Sequence, residues 1–236
     1  MSVRSRLLNI LFWSVISAAF IGPGTVTTAA KAGADYGLSL LWSLMFATLA
    51  CLVLQEAGSR LTIVSGMDLG QAIWQRASRR RGKSFVPGGV ALCILSGTAA
   101  YQAGNLLGAV AGTGLLFDLP SRTVVLVIGL MAAVILMIPS IKIIARVLGS
   151  LVACMGIAFL AAATAIGPAL PDLLKGLFRP AIPLEPVGGL LVLGLIGTTV
   201  VPYNLFLGSG ISSGQGMGEM RFGLVAAIVL GGIISM

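Results

Sequence analysis

The sequence predicts an all-α membrane protein with several transmembrane helices arranged as inverted halves, and three observations carry that prediction. Of 236 residues, 57% are hydrophobic and only 9% charged, too few charges to cover an ordinary water-facing surface. Uncharged runs extend over 7–30, 36–55, 84–117, 123–141, 147–171, 186–218 and 222–236. A bilayer core of about 30 Å needs about 20 helical residues, which the first six runs approach or exceed. Two of the runs are interrupted at their middles, by Gly22-Pro23-Gly24 and by Val201-Pro202-Tyr203. Five predicted spans separate the starts of the two interrupted helices. A second half built like the first would therefore enter the membrane from the opposite side.

The first predicted helix covers about 7–32. Arg4 and Arg6 ahead of an apolar stretch and Ser17-Ala18-Ala19 have the look of a signal peptide, but the run continues to Ala30, so the helix reads as retained. Helix 2 is predicted near 38–63, followed by a short polar segment, 64–85, in which Asp68 can cap an interfacial helix containing Ile73 and Trp74. Helix 3, near 86–116, carries Gly104, Gly108 and Gly112 at every fourth position, a spacing that lets two backbones approach closely. Helix 4 (about 122–139) ends at Pro139, and helix 5 runs near 143–166. Pro168, Pro171, Pro180, Pro183 and Pro186 then punctuate an outer loop. Helix 6 is predicted near 188–212. The last uncharged run, about 22 Å of helix at 1.5 Å per residue, reads as a partial helix 7 beginning near 221. The organisation expected is a first five-helix repeat over 1–166, an external loop over 167–187 and the start of a second repeat over 188–236.

Charge sets the orientation. With a cytoplasmic N-terminus, Arg4, Arg6, Arg60, Arg76, Arg79, Arg80, Arg81, Lys83, Lys142, Arg146 and Arg221 fall inside, while Lys31, Arg122, Lys175 and Arg179 fall outside. This positive-inside bias explains the net charge of +8 without any nucleic-acid partner and fixes a cytoplasmic N-terminus; a multi-pass protein of the plasma membrane is expected. Cys51, Cys93 and Cys154 lie in apolar runs without ligand spacing and read as packing residues. The chain has no histidine, which removes the commonest proton relay and transition-metal ligand. No nucleophile–base pair or metal cluster is visible, so an enzyme is not expected.

A broken helix in hydrocarbon frees backbone groups that must face protein, water or a solute. Paired breaks are therefore the best pointer to a transporter's substrate site. The residues singled out are Gly22, Pro23, Gly24 and Thr25 at the first break, and Thr198, Val201, Tyr203 and Asn204 at the second. Glu56 is a candidate coupling or gating carboxylate, with Arg60 at i+4 as its partner; a purely local ion pair is the other reading. Thr98, Gln102 and Asn105 share one face of helix 3, where they either line an aqueous pathway or bond to neighbouring helices.

These motifs resemble the NRAMP family of divalent-metal transporters. Gly22-Pro23-Gly24-Thr25 stands where that family has Asp-Pro-Gly-Asn, and Val201-Pro202-Tyr203-Asn204-Leu205-Phe206-Leu207 answers Met-Pro-His-Asn-Leu-Tyr-Leu. Tyr36-Gly37-Leu38-Ser39-Leu40-Leu41-Trp42, Gln55, Arg60-Leu61, Val64 and Gly66-Met67-Asp68-Leu69 continue the pattern. The resemblance implies a LeuT-type fold of five-plus-five inverted repeats, of which one half and the start of the next are present. It also implies secondary-active transport of a divalent cation of the manganese, iron or magnesium class, with protons as a further transported species. No cofactor is implied beyond the transported ion. Gly22, Thr25 and Val201 occupy the family's ligand positions without ligand side chains. That leaves three readings: a more hydrated ion such as magnesium, another small solute of the amino-acid type on the same fold, or a non-transporting receptor-like or structural membrane protein. The family ordinarily has eleven or twelve helices, so a second chain or a missing C-terminal half is a further expected partner.

Overall fold

The computed structural model describes residues 3–78 and 85–236; the basic stretch Arg79, Arg80, Arg81 and Lys83 lies outside them. Every regular element among the described residues is helical. The first predicted span is two helices, α1 (Val3–Phe20) and α2 (Pro23–Tyr36), separated at Ile21-Gly22. Pro23 is suited to the first position of α2, where its missing N–H would have no helical partner. Gly37, at φ 57°, turns the chain through a 3-10 segment, Gly37–Leu40, into α3 (Leu41–Ser65). Only glycine adopts that backbone without strain. Gly66, at φ 72°, ends α3 in the left-handed conformation and donates its N–H to the Thr62 carbonyl at 2.9 Å.

The expected interfacial helix is α4 (Leu69–Ser78). Asp68 caps it as predicted: its Oδ1 accepts the Gln71 N–H at 2.8 Å, and Gln71 Oε1 accepts the Asp68 N–H at 3.1 Å. This reciprocal pair satisfies two donors at the helix start. After it come α5 (Phe85–Gly114), α6 (Ser121–Leu136) and α7 (Ile141–Ile166). The outer loop is not merely punctuated by proline, because it contains a helix, α8 (Leu170–Phe178), with Pro171 near its start. Gly176 of α8 lies against the Leu38 backbone, and Trp42 Nε1 donates to the Ala181 carbonyl at 3.1 Å. The loop thus closes over the turn between α2 and α3.

The second broken span comprises α9 (Pro186–Thr199) and α10 (Pro202–Ile211), separated at Val200-Val201. The seventh helix starts earlier than the sequence predicts. Here α11 (Met217–Ser235) is 19 residues long, about 28 Å, and takes Glu219 and Arg221 into its first turns, so it starts before the expected position near 221. Helical stretches long and apolar enough to cross a membrane are Pro23–Ser65, Phe85–Gly114, Arg146–Ile166, Pro186–Ile211 and Met217–Ser235, with α6 a shorter apolar helix.

Each break divides its helix between two packing clusters. Trp13, Ile16, Phe20 and Ile21 pack with Cys51, Val201 and the Met220, Leu224, Ala227 and Ile228 face of α11. Ala32 of α2 packs instead with Leu40, Leu44, Leu191, Val192 and Leu195. Leu92, Leu95, Leu107, Leu126, Leu130, Leu151 and Leu160 remain exposed on α5, α6 and α7, an exterior suited to lipid. Cys51 is buried in the first cluster, whereas Cys93 and Cys154 are exposed, and all three are free.

One of the three spaced glycines of α5 fixes where that helix crosses the first break. A Cβ on Gly108 would stand 2.5 Å from the Pro23 carbonyl oxygen, whereas a Cβ on Gly112 meets nothing within 4 Å. Gly108→Ala is therefore expected to destabilise by about 1–3 kcal/mol through overpacking against backbone. Gly112→Ala should be neutral or stabilising by up to about 1 kcal/mol from helix propensity. Thermal unfolding of the two variants in detergent checks the contrast, and equal effects would contradict this crossing.

Candidate substrate site at the two helix breaks

Proline creates the first structural demand at the site. In an unbroken helix the Ala19 carbonyl would accept the N–H of residue 23, but Pro23 has none to give. Tyr203 meets the demand from the other broken helix, its hydroxyl donating to the Ala19 carbonyl at 2.6 Å. The next carbonyl, Phe20, accepts from Thr25 Oγ1 at 2.6 Å and from the Tyr101 hydroxyl at 2.9 Å. Asn204 Nδ2 donates to the Ile16 carbonyl at 3.2 Å. The Gly24 N–H, at the opening of α2, donates to Asn105 Oδ1 at 3.1 Å. Side chains from α2, α5 and α10 thus satisfy the backbone that the break exposes.

These bonds also set the polarity of the site. A carbonyl oxygen only accepts, so each hydroxyl bonded to one must supply its single proton. Thr25, Tyr101 and Tyr203 all use their protons on α1 carbonyls. What they retain is oxygen lone pairs. Thr25 and Tyr203, both singled out from the sequence, keep acceptor capacity but their O–H groups are engaged. Asn204 is 1% exposed, and its Oδ1 has no protein partner among the described residues. At the second break, Pro202 has no N–H for the Thr198 carbonyl, and the Thr198 and Thr199 hydroxyls both turn back to the Leu195 carbonyl. Val201 is buried in the first apolar cluster.

The breaks are therefore held together by direct bonds from Tyr203 and Asn204 to α1. Tyr101 and Asn105 of α5 form a third wall. The sequence did single out Asn105, but Thr98 is exposed and bonds back to Ile94 of its own helix, and Gln102 is exposed. Tyr101 was missed, although it lies one helical turn before Asn105 on the face that contacts the break. Its aromatic ring also meets Tyr203 edge-on, with centroids 5.8 Å apart. Open surface hollows of about 360 Å³ beside Ala57 and Arg60 and about 600 Å³ beside Leu38 and Lys175 lie away from the breaks.

Comparison with known proteins decides the family. The profile described as "Natural resistance-associated macrophage protein-like", Nramp, matches residues 14–235. The chain belongs to the Nramp family. It is 29% identical over 202 residues to a divalent metal cation transporter MntH of Verminephrobacter eiseniae, covering 84% of this chain and 44% of the relative. It is 32% identical over 204 residues to MntH 1 of Pseudomonas aeruginosa, again covering 84% and 44%. The crystal structure of the Eremococcus coleocola manganese transporter bound to an aromatic bis-isothiourea compound superimposes with a TM-score of 0.78 at 25% identity, covering 98% of this chain and 50% of that one. The Nramp chain therefore has the LeuT-type fold, and it spans less than half the length of these curated relatives.

Away from the breaks, the Nramp chain pairs Glu56 differently from expectation. Arg221 of α11 is the closer partner, donating from Nε at 3.0 Å and Nη2 at 2.8 Å to Glu56 Oε1. Arg60 Nε lies 3.7 Å from Glu56 Oε2. The predicted i+4 pair exists, but it is the weaker contact. The carboxylate joins α3 to α11, a link between residues 165 apart in sequence.

The hydroxyl caps make an asymmetric prediction. Tyr203→Phe leaves the Ala19 carbonyl without the donor it has here, and should lower stability by about 1–3 kcal/mol. Tyr101→Phe should cost less, because Phe20 keeps the Thr25 hydroxyl. Thermal unfolding in detergent distinguishes them; a larger loss for Tyr101→Phe would overturn the assignment of Tyr203 as the principal cap.

Proposed function

We propose that this chain carries the substrate-holding part of a secondary-active divalent-cation transporter, with the ion held between Gly22–Thr25 and Thr198–Asn204. The observation that supports this most is the orientation of the site's protons. The hydroxyls around the first break donate to carbonyls, leaving oxygen lone pairs for a ligand, and lone pairs are what a cation seeks. The names of the MntH relatives point to the same substrate class.

Gly22, Thr25 and Val201 provide no carboxylate or thioether. A bare divalent ion at mid-membrane would face a large uncompensated charge cost there. An ion that keeps part of its water shell and takes a few neutral oxygen ligands suits the site better. Magnesium has that chemistry, whereas softer transition ions gain from sulfur or imidazole ligands. An amino-acid substrate is less well served, because its carboxylate would have to displace Asn105 from the Gly24 N–H.

Glu56 serves this reading as a coupling or gating group, its charge set between Arg221 and Arg60 rather than at the ion. Orientation with the N-terminus in the cytoplasm follows from the positive-inside bias, and this reading places the chain in the plasma membrane. The same reading divides the chain at 1–166, 167–187 and 188–236, with the remainder of the second repeat supplied by further sequence or a second chain.

Titration calorimetry on purified protein, paired with proteoliposome uptake under an inward proton gradient, tests the proposal. Saturable binding of Mg²⁺ is expected, at least as tight as that of Mn²⁺. Folded protein that binds and transports neither ion would overturn it. Glu56→Gln should alter the pH dependence of uptake while leaving ion affinity within about threefold, a free-energy change under about 0.7 kcal/mol. An unaltered pH profile would remove Glu56 from coupling.

A further inference from the structure

Asn105 is placed unlike the other polar groups near the breaks. It reaches across from α5, and its Oδ1 lies 3.1 Å from the Gly24 nitrogen at the opening of α2. A Cβ built on Gly22 would fall 2.6 Å from the same oxygen, and one built on Gly24 would fall 3.1 Å from it. The carboxamide thus fills the space into which a side chain at position 22 would project. Gly108, one turn further along α5, has its own missing Cβ directed at the Pro23 carbonyl. The close crossing that brings Asn105 to the break depends on that missing side chain.

We propose that Asn105 is the specificity-determining residue of the first break, supplying from α5 the side-chain oxygen that position 22 lacks. This rests on the cation reading above and adds where the ligand-facing side chain comes from. One lone pair of Oδ1 takes the Gly24 N–H, and a carbonyl-type oxygen retains a second. That acceptor is neutral. It suits a hydrated divalent ion and offers no charge to strip water from a transition metal. The arrangement also explains why position 22 is glycine, since a residue with a Cβ would collide with the amide that replaces its side chain.

Two sets of variants test this. The first changes charge: Asn105→Asp places a carboxylate on the same N–H, where the positive end of α2 favours it. Calorimetric titration with MnCl₂ should show affinity rising at least tenfold over the parent chain, with a smaller rise for MgCl₂. The second set is steric. Gly22→Ala should lower the unfolding temperature in the parent background, and Asn105→Ala should remove most of that penalty in the double variant. Mn²⁺ affinity of folded Asn105→Asp within twofold of the parent would overturn the proposal. A Gly22→Ala penalty unchanged by Asn105→Ala would overturn it too, and this arm stands even where Asn105→Asp fails to fold. If the parent binds neither ion but Asn105→Asp gains Mn²⁺ binding, the role of Asn105 holds while the cation assignment for the parent fails. If the parent binds Mg²⁺ and Asn105→Asp changes nothing, the cation assignment holds and the role of Asn105 fails.

Discussion

The missing N–H of Pro23 is the constraint from which most of this architecture follows. Hydrocarbon offers nothing to a carbonyl left without a donor, so a helix broken in the membrane must be completed by other parts of the protein. Here the completion comes from the other break: Tyr203, at the second break, caps a carbonyl released by the first. α1 and α10 cannot separate without exposing α1 carbonyls that Tyr203 and Asn204 satisfy. The α5 helix is drawn into the same arrangement by Tyr101 and Asn105. Its glycine at 108 is what lets it come close enough.

Satisfying the backbone also determines the chemistry left for a ligand. Hydroxyl protons directed at carbonyls leave an environment of oxygen acceptors, and the helix opening at Gly24 is covered by a neutral amide. The result is polar without being charged. Under the proposed cation reading, such a site would discriminate by hydration, favouring ions whose water shell does part of the coordination over those that require direct anionic or sulfur ligands. Under that reading, local helix completion and ion preference are two consequences of the same hydrogen bonds.

The charged groups sit apart from this neutral centre. Glu56 meets Arg221 and Arg60 on the α3–α11 side, with Glu56 22% exposed and the two arginines about half exposed. Ion pairs so open to their surroundings contribute little to stability, about 0–1 kcal/mol. They tie α3 to α11, two helices that also pack through Cys51 and the Met220, Leu224, Ala227 and Ile228 face.

Much of this protein was legible from local chemistry. Hydropathy marked the spans, and proline and glycine marked both breaks to within two residues, because helix disruption is a property of the residues themselves. The capping pair of Asp68 and Gln71 is local for the same reason. The start of α11 and the helix inside the outer loop were not legible where charge or proline interrupted an apolar pattern, since hydropathy measures contact with lipid and not helical continuity. The caps could not be read from sequence at all. Tyr203 and Ala19 are 184 residues apart, and Asn105 and Gly24 are 81 apart. Which hydroxyl meets which carbonyl depends on the distance and angle at which helices cross, and those are set by packing. The sequence by itself determined that two membrane helices must break and that no charged side chain stands at the breaks. Only the tertiary structure decided that α5 supplies the polar group there, because that follows from where Gly108 lets one backbone rest on another.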